Sequence, residues 1–166
     1  MIKLIACIGP NGELGFNNDL VYHNKQDMKF FRERTRENIV IMGKNTFKSI
    51  GSKPLSDRIN IVLTEESDIY PGVLTWNTPL ENAIRNAKAW FPLLDIYIIG
   101  GAYVYNQAIK QGLPDELFLT TMHDKVEADT YIDIEQIKEN YTISHILDSV
   151  IENNKVIGEI VKFKRR

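Results

Sequence analysis

A run of four apolar residues, Ile96-Tyr97-Ile98-Ile99, leads straight into Gly100-Gly101 and then a helix-like segment, Ala102-Tyr103-Val104-Tyr105. Paired glycines between strand and helix let a ligand approach bare backbone, and the amides opening the helix can hold phosphate oxygens. The same pattern also serves as a plain tight turn. A second glycine turn, Met42-Gly43-Lys44-Asn45-Thr46, follows another apolar run and offers close approach, one cation and a hydroxyl. It lacks the spaced first glycine of a Walker loop, and the Gly100 turn lacks the third glycine of a Rossmann fingerprint. Two separate glycine turns fit a dinucleotide lying across a sheet, its phosphates shared between two helix starts.

The third feature is an isolated acid. Asn24-Lys25-Gln26-Asp27 opens a helix carrying Met28 and Phe31. Asn24 as N-cap and Asp27 as its capping-box partner would account for both residues, at about 0.5–2 kcal/mol. The alternative is that Asp27 faces a pocket, where burial would raise its pKa and a donor-rich ligand would favour its ionised form. Local pattern leaves both open. No nucleophile–histidine set is evident. His23, His123 and His145 lie far apart without metal-ligand spacing, so no metal is expected. Cys7 sits in an apolar strand and reads as a buried, inert thiol.

Positioning these residues requires a framework. Apolar runs at 4–8, 39–42, 59–63, 96–99 and 117–122 are short and bounded by Gly, Pro, Asp or Asn, and read as strands buried on both faces. Helical stretches at 25–36, 44–49, 79–90 and 102–110 alternate with them. This predicts a three-layer α/β/α domain over residues 1–166 with a mostly parallel sheet. Residues 142–149 and 155–164, around Glu152-Asn153-Asn154-Lys155, predict a terminal hairpin that adds one antiparallel strand at the sheet edge. Ligands in such sheets bind beyond the carboxyl ends of the strands. The candidate site therefore gathers 9–24, 43–50, 63–66, 100–107 and 120–123. Segment 9–24 is glycine-punctuated, poor in helix or strand signals, and reads as a lid.

Bulk properties narrow the class. With 166 residues, 43% of them hydrophobic, the chain can bury a proper core. A net charge of −2 and a pI near 5.9 argue against a nucleic-acid partner. The basic end Lys162-Phe163-Lys164-Arg165-Arg166 reads as a solvated edge strand. One cysteine permits no intrachain disulfide and suits a reducing, cytoplasmic setting. The N-terminal apolar run is broken too soon by Gly9-Pro10 for a signal peptide or membrane span.

Taken in order, these segments resemble the dihydrofolate reductase family over almost the full chain. The matching stretches are Ile2-Lys3-Leu4-Ile5-Ala6, Leu14-Gly15-Phe16-Asn17-Asn18-Asp19-Leu20, Asp27-Met28-Lys29-Phe30-Phe31-Arg32, Val40 through Gly51, Arg58 through Thr64, Ile99 through Tyr105, and Asp129-Thr130. The resemblance implies an NADPH-dependent enzyme that moves hydride to the pterin of 7,8-dihydrofolate, giving tetrahydrofolate for one-carbon metabolism and for thymidylate and purine synthesis. It implies that Asp27 binds the pterin and biases it toward protonation at N5. Thr120 would bond that carboxylate, and Tyr22 would hold water near the reacting end. Ile5 and Ile99 would line the pterin edge through their carbonyls, with Met28, Phe31 and Ile50 gripping the benzoyl ring. Arg32, Leu55 and Tyr105 complete the implied substrate site, and Arg58 would take the glutamate tail's carboxylate as a planar bidentate donor.

On the cofactor side, the resemblance assigns Ala6, Cys7, Leu14, Gly15 and Leu20 to the nicotinamide end. Gly43, Lys44, Asn45, Thr46, Leu63, Thr64, Gly100, Gly101, Ala102, Tyr103, Val104 and Gln107 fall to the ribose, phosphates and adenine. It also implies a cis peptide between Gly100 and Gly101, an adenosine-binding subdomain over about 38–106, a monomer, and competition by antifolates. The chain departs from the family pattern at four places. Val21-Tyr22 stands for the common Pro-Trp, and Thr64-Glu65-Glu66 for small polar or basic residues. Tyr103 replaces an arginine of some members, and Ala128 a common glycine.

Two other readings are weighed. A related pyrimidine reductase of riboflavin synthesis shares fold and NADPH use, but should lack an acid such as Asp27. A non-catalytic folate- or nucleotide-binding module would show substitution at Asp27 or the glycine pair, and here both are intact.

Overall fold

The computed structural model describes residues 1–65 and 70–166. Among these, an eight-stranded sheet forms the middle layer. Its parallel part is built from β1 (Ile2–Ile8), β4 (Ile39–Gly43), β5 (Ile59–Leu63), β6 (Leu74–Trp76), β7 (Ile96–Ile98) and β8 (Glu116–Met122), and the terminal hairpin is β10 (Tyr141–Glu152) with β11 (Lys155–Arg165). The spatial order is β10-β11-β8-β1-β7-β4-β5-β6. Strand β1 lies between two partners from the far end of the chain, Leu4 opposite Ile98 on one side and Leu117 on the other.

The runs lack clean alternation because both faces of the sheet are covered. Leu4, Ile8, Ile39, Ile41, Ile96 and Ile98 pack on one side. There they meet Leu80, Ile84 and Ala87 of α3 (Leu80–Trp90), and Val104, Ala108 and Ile109 of α4 (Ala102–Lys110). Ile5, Val40, Met42, Val62 and Phe118 face the other way, against Phe30 and Phe31 of α1 (Lys25–Thr35) and Phe47 of α2 (Lys44–Ser49). Each such side chain contributes about 1.5–3 kcal/mol on burial. The sandwich of helices, sheet and helices is the expected three-layer architecture.

The terminal hairpin differs in one detail. The strand that runs against the others is β11, one place in from the edge, and β10 occupies the edge itself. Its turn uses Asn153 and Asn154 at φ 52 and 62, the left-handed pair that a two-residue hairpin requires. Part of the open edge is covered by a side chain. Gln26 Nε2 donates to the Ser149 carbonyl at 2.8 Å, and Ile151 N donates to Gln26 Oε1 at 3.1 Å, so one amide stands where a neighbouring strand would.

The lid is more ordered than its composition indicates. It contains β2 (Glu13–Phe16) and β3 (Asp19–Leu20), joined through Asn17 and Asn18 at φ 52 and 62, and β2 pairs on its other side with β9 (Thr130–Tyr131). Few β-branched residues mark these strands. The β2–β3 pairing is a local hairpin at Asn17-Asn18, but the β2–β9 pairing joins residues more than a hundred positions apart, a signal no local window carries. The short β6 and α5 (Ile134–Asn140) are also missing from the sequence-based expectation.

Candidate active site

Asp27 reaches its place through the local chemistry of the helix start. Asn24 Oδ1 accepts from Asp27 N at 2.9 Å, which caps the helix. The Asp27 side chain is then taken up elsewhere. Thr120 Oγ1, on β8, donates to Asp27 Oδ1 at 2.6 Å. The acid is therefore both a first-turn helix residue and part of a pair bridging helix and sheet. Burial is the larger influence on its carboxyl and raises the pKa, while the Thr120 hydroxyl pulls it down. Thr120 lies opposite Cys7 in the β1–β8 ladder. Burial first, and Asp27 second, push the Cys7 thiol far up, so it carries no nucleophilic thiolate at neutral pH.

The two glycine turns meet. Because β4 and β7 are neighbours, Gly43 N donates to the Gly100 carbonyl at 2.9 Å. The Gly100–Gly101 peptide is cis, and Gly100 has φ +125, a conformation side chains resist. A Cβ on Gly101 would stand 3.2 Å from Thr46 Oγ1, and one on Gly43 would stand 3.3 Å from Val104. The helix starts of α2 and α4 thus meet at glycines, with the Thr46 hydroxyl and Val104 as the nearest side chains, an arrangement suited to a diphosphate. Lys44 and Ala102 begin those helices, Asn45 and Tyr103 are exposed, and Gln107 is half-buried one turn further on. Leu63 ends β5 and Thr64 follows it, with Thr64 N bonded to the Trp76 carbonyl at 3.1 Å. Glu65 is exposed. Glu66 lies outside the described residues.

The opposite end of the cleft is lined from β1, β7, α1 and α2. Tyr105 Oη is buried and donates to the Ile5 carbonyl at 2.7 Å, using one of that oxygen's two lone pairs and fixing its direction. Ile99 N is held by the Ile41 carbonyl at 2.9 Å. Met28 and Ile50 are exposed and Phe31 and Leu55 half-buried, as expected for walls of an open cleft. Arg58 is oriented by two acceptors, the Ser56 carbonyl at 2.8 Å and Thr35 Oγ1 at 3.0 Å, and packs over Phe31. It borders a hollow of about 350 Å³ with Arg32 and Arg36. Thr35 is a positioning residue the sequence reading missed. It is fully buried, its own hydroxyl proton going to the Phe31 carbonyl at 2.8 Å, and nothing in its local pattern marks it.

Ala6 and Leu14 are buried near the carboxyl end of β1, Gly15 is buried in the lid, and Leu20 is exposed on it. Asp129 N donates to the Gly15 carbonyl at 2.8 Å, and Asn17 N to Asp129 Oδ2 at 3.0 Å, docking the lid on the segment after β8. Tyr22 adds a further tie, its hydroxyl donating to the Asp124 carbonyl at 2.6 Å. Sequence reasoning assigned that hydroxyl to water near the reacting end and did not anticipate Asp124. Groups of His, Cys, Asp or Glu able to hold a metal are absent among the described residues.

The family model for dihydrofolate reductase matches residues 1–165. A dihydrofolate reductase of Ureaplasma parvum is 30% identical over 158 residues, covering 92% of this chain and 95% of that protein. One from Haemophilus influenzae is 33% identical over 129 residues, covering 78% of this chain and 76% of its own length. Among solved structures, a dihydrofolate reductase from Enterococcus faecalis, complexed with NADP(H) and RAB-propyl, superposes with a TM-score of 0.83 at 27% identity, over 99% of this chain and 96% of that one.

Proposed function

The chain belongs to the dihydrofolate reductase family, and from that membership we propose how its cleft divides the work of reducing 7,8-dihydrofolate to 5,6,7,8-tetrahydrofolate. NADPH supplies the hydride. The gap between the two helix starts fits its diphosphate, because the glycines there leave the amides uncovered. Gly43, Lys44, Thr46, Gly100, Gly101 and Ala102 would hold that end, and Ala6, Cys7, Leu14 and Leu20 would frame the nicotinamide.

The observation that carries the substrate side is the Asp27–Thr120 pair. A carboxylate with a raised pKa, held against β8 beside the carboxyl half of β1, would accept two hydrogen bonds from a pterin ring nitrogen and its amino group. Its negative charge then favours a proton on the ring at the moment hydride arrives. Ile5 and Ile99 offer carbonyls to the ring edge, Met28, Phe31 and Ile50 the apolar walls, and Arg58 a pre-oriented guanidinium for the glutamate carboxylate. Lid residues 9–24 exclude water during transfer.

The chain is read as one domain and as a monomer acting in the cytoplasm without nucleic acid. Its slight negative charge and single cysteine support that reading. No described helix is long and apolar enough to cross a membrane.

The test is loss of NADPH absorbance on adding dihydrofolate, with Asp27→Asn alongside. Turnover by the native protein and little by the variant supports the reading. NADPH binding without turnover points instead to a different reducible substrate or a binding module.

A further inference from the structure

Glu13 is 2% exposed and makes no ion pair among the described residues, yet the reaction has no use for it. One carboxylate oxygen accepts from Asn11 N at 2.6 Å. The other points at the bare Cα of Gly9. A Cβ there would come within 2.8 Å of Glu13 Oε2 and would collide with the Tyr22 hydroxyl oxygen. The acid and the phenol therefore share the space that a side chain at position 9 would fill.

The Tyr22 hydroxyl has one proton and gives it to the Asp124 carbonyl, across to the segment after β8. With that proton committed, the hydroxyl oxygen can meet the Glu13 carboxylate only through its lone pairs, which a negative charge repels. Burial first, then Glu13, Cys7 and Asp124, push the phenol up to about 12. His23 and Glu152 border the adjoining hollow with Tyr22. Glu13 thus opposes the state in which Tyr22 is bonded to Asp124, and offers the same proton a second acceptor when that bond opens.

We propose that Glu13 is a positioning residue for Tyr22: facing the same space beside Gly9 as the Tyr22 hydroxyl, the carboxylate weakens the Tyr22–Asp124 bond so that the lid releases ligand readily. The role rests on the lid reading given above. It is particular to a chain with tyrosine at 22, an acid at 13 and no side chain at 9.

The experiment measures NADPH dissociation by stopped-flow displacement in a double-mutant cycle. Glu13→Gln removes the repulsion and should slow dissociation about threefold or more, whereas Tyr22→Phe should speed it. In the Tyr22→Phe background, Glu13→Gln should then change nothing, because the two act through one bond. Carbon-13 NMR of labelled tyrosine, with Tyr22 identified by its loss in Tyr22→Phe, should show the phenol ionising at lower pH in Glu13→Gln. A purely structural Glu13 would give additive effects and an unmoved phenol, and either result overturns the proposal. These readouts need no turnover. Coupling without turnover would sink the reaction assigned above, and turnover without coupling would sink only this role.

Discussion

Thr120 Oγ1 and Asp27 Oδ1 lie 2.6 Å apart although 93 positions separate the two residues in the chain. This bond opposes the effect of burial on the acid. Removing the donor in Thr120→Val should raise the Asp27 pKa further, by the worth of one hydrogen bond to a charged group, about 1.5–3 kcal/mol. Carbon-13 NMR of labelled aspartate would follow the titration. Thr120→Ser should restore the native value, and an unmoved titration in Thr120→Val would remove the hydroxyl from the acid's control.

Asp27→Asn should separate stability from activity. The folded-state pKa of Asp27 is raised above the unfolded value of about 3.9, so the folded state holds its proton to higher pH. As pH climbs through that window, ionisation costs the fold stability that it retains at lower pH. The ligand-free variant should therefore melt higher than the native protein at pH 7, with the difference vanishing below about pH 4. Hydride transfer should fall by orders of magnitude near neutral pH and recover in part at low pH, where the substrate arrives protonated. Calorimetry and single-turnover rates check the two halves separately.

Arg58→Lys keeps the charge and loses the fork. Thr35 and the Ser56 carbonyl orient a guanidinium, and an ammonium cannot satisfy both while binding a carboxylate in two places. KM for dihydrofolate should rise about tenfold or more with kcat little changed, consistent with an interaction worth roughly 1.5–3 kcal/mol. A fall in kcat at unchanged KM would contradict this placement.

Gly101→Ala inserts a methyl 3.2 Å from Thr46 Oγ1, in the gap shared by the two helix starts. Affinity for NADPH, followed by fluorescence titration, should drop about tenfold or more while dihydrofolate affinity changes little. Equal losses for both ligands would mean the methyl disturbs the sheet rather than the cofactor gap.

Glu65 lies exposed just beyond β5, beside the end of the cleft assigned to adenosine. A carboxylate there opposes a ribose phosphate, so the native preference for NADPH over NADH should be smaller than is usual in the family. Glu65→Gln should widen it by about twofold or more, since exposed charge pairs are worth roughly 0.2–1 kcal/mol. Comparing kcat/KM for the two cofactors decides the point, and equal efficiency with NADH in the native protein would defeat it.

Five strands of the parallel sheet and α1 to α4 were legible because each rests on a local signal: apolar runs between Gly, Pro, Asp or Asn for the strands, and helix-forming stretches between them, α1 with its Asn24 cap, for the helices. Asp27 and the glycine turns were legible as chemistry for the same reason. Local pattern could not show that Asp27 turns from its cap to Thr120, since that partner lies on β8, 93 positions along the chain. Thr35 behind Arg58 and Asp124 ahead of Tyr22 were hidden likewise. Each owes its role to a neighbour that the tertiary fold, not the adjacent sequence, brings near. The lid strand β2 depends on β9 in the same way.

The position of β1 between β7 and β8 also sets an order of events during synthesis. At roughly 5–20 residues per second, the first strand is made several seconds before either strand that will flank it. Until then Ile5 lacks Tyr105, Asp27 lacks Thr120, and Gly43 lacks Gly100, so nascent chain has no cleft to offer. Folate and nucleotide can therefore stabilise only chains whose translation is nearly complete, and the burden of keeping β1 from other partners in the meantime falls on the cell.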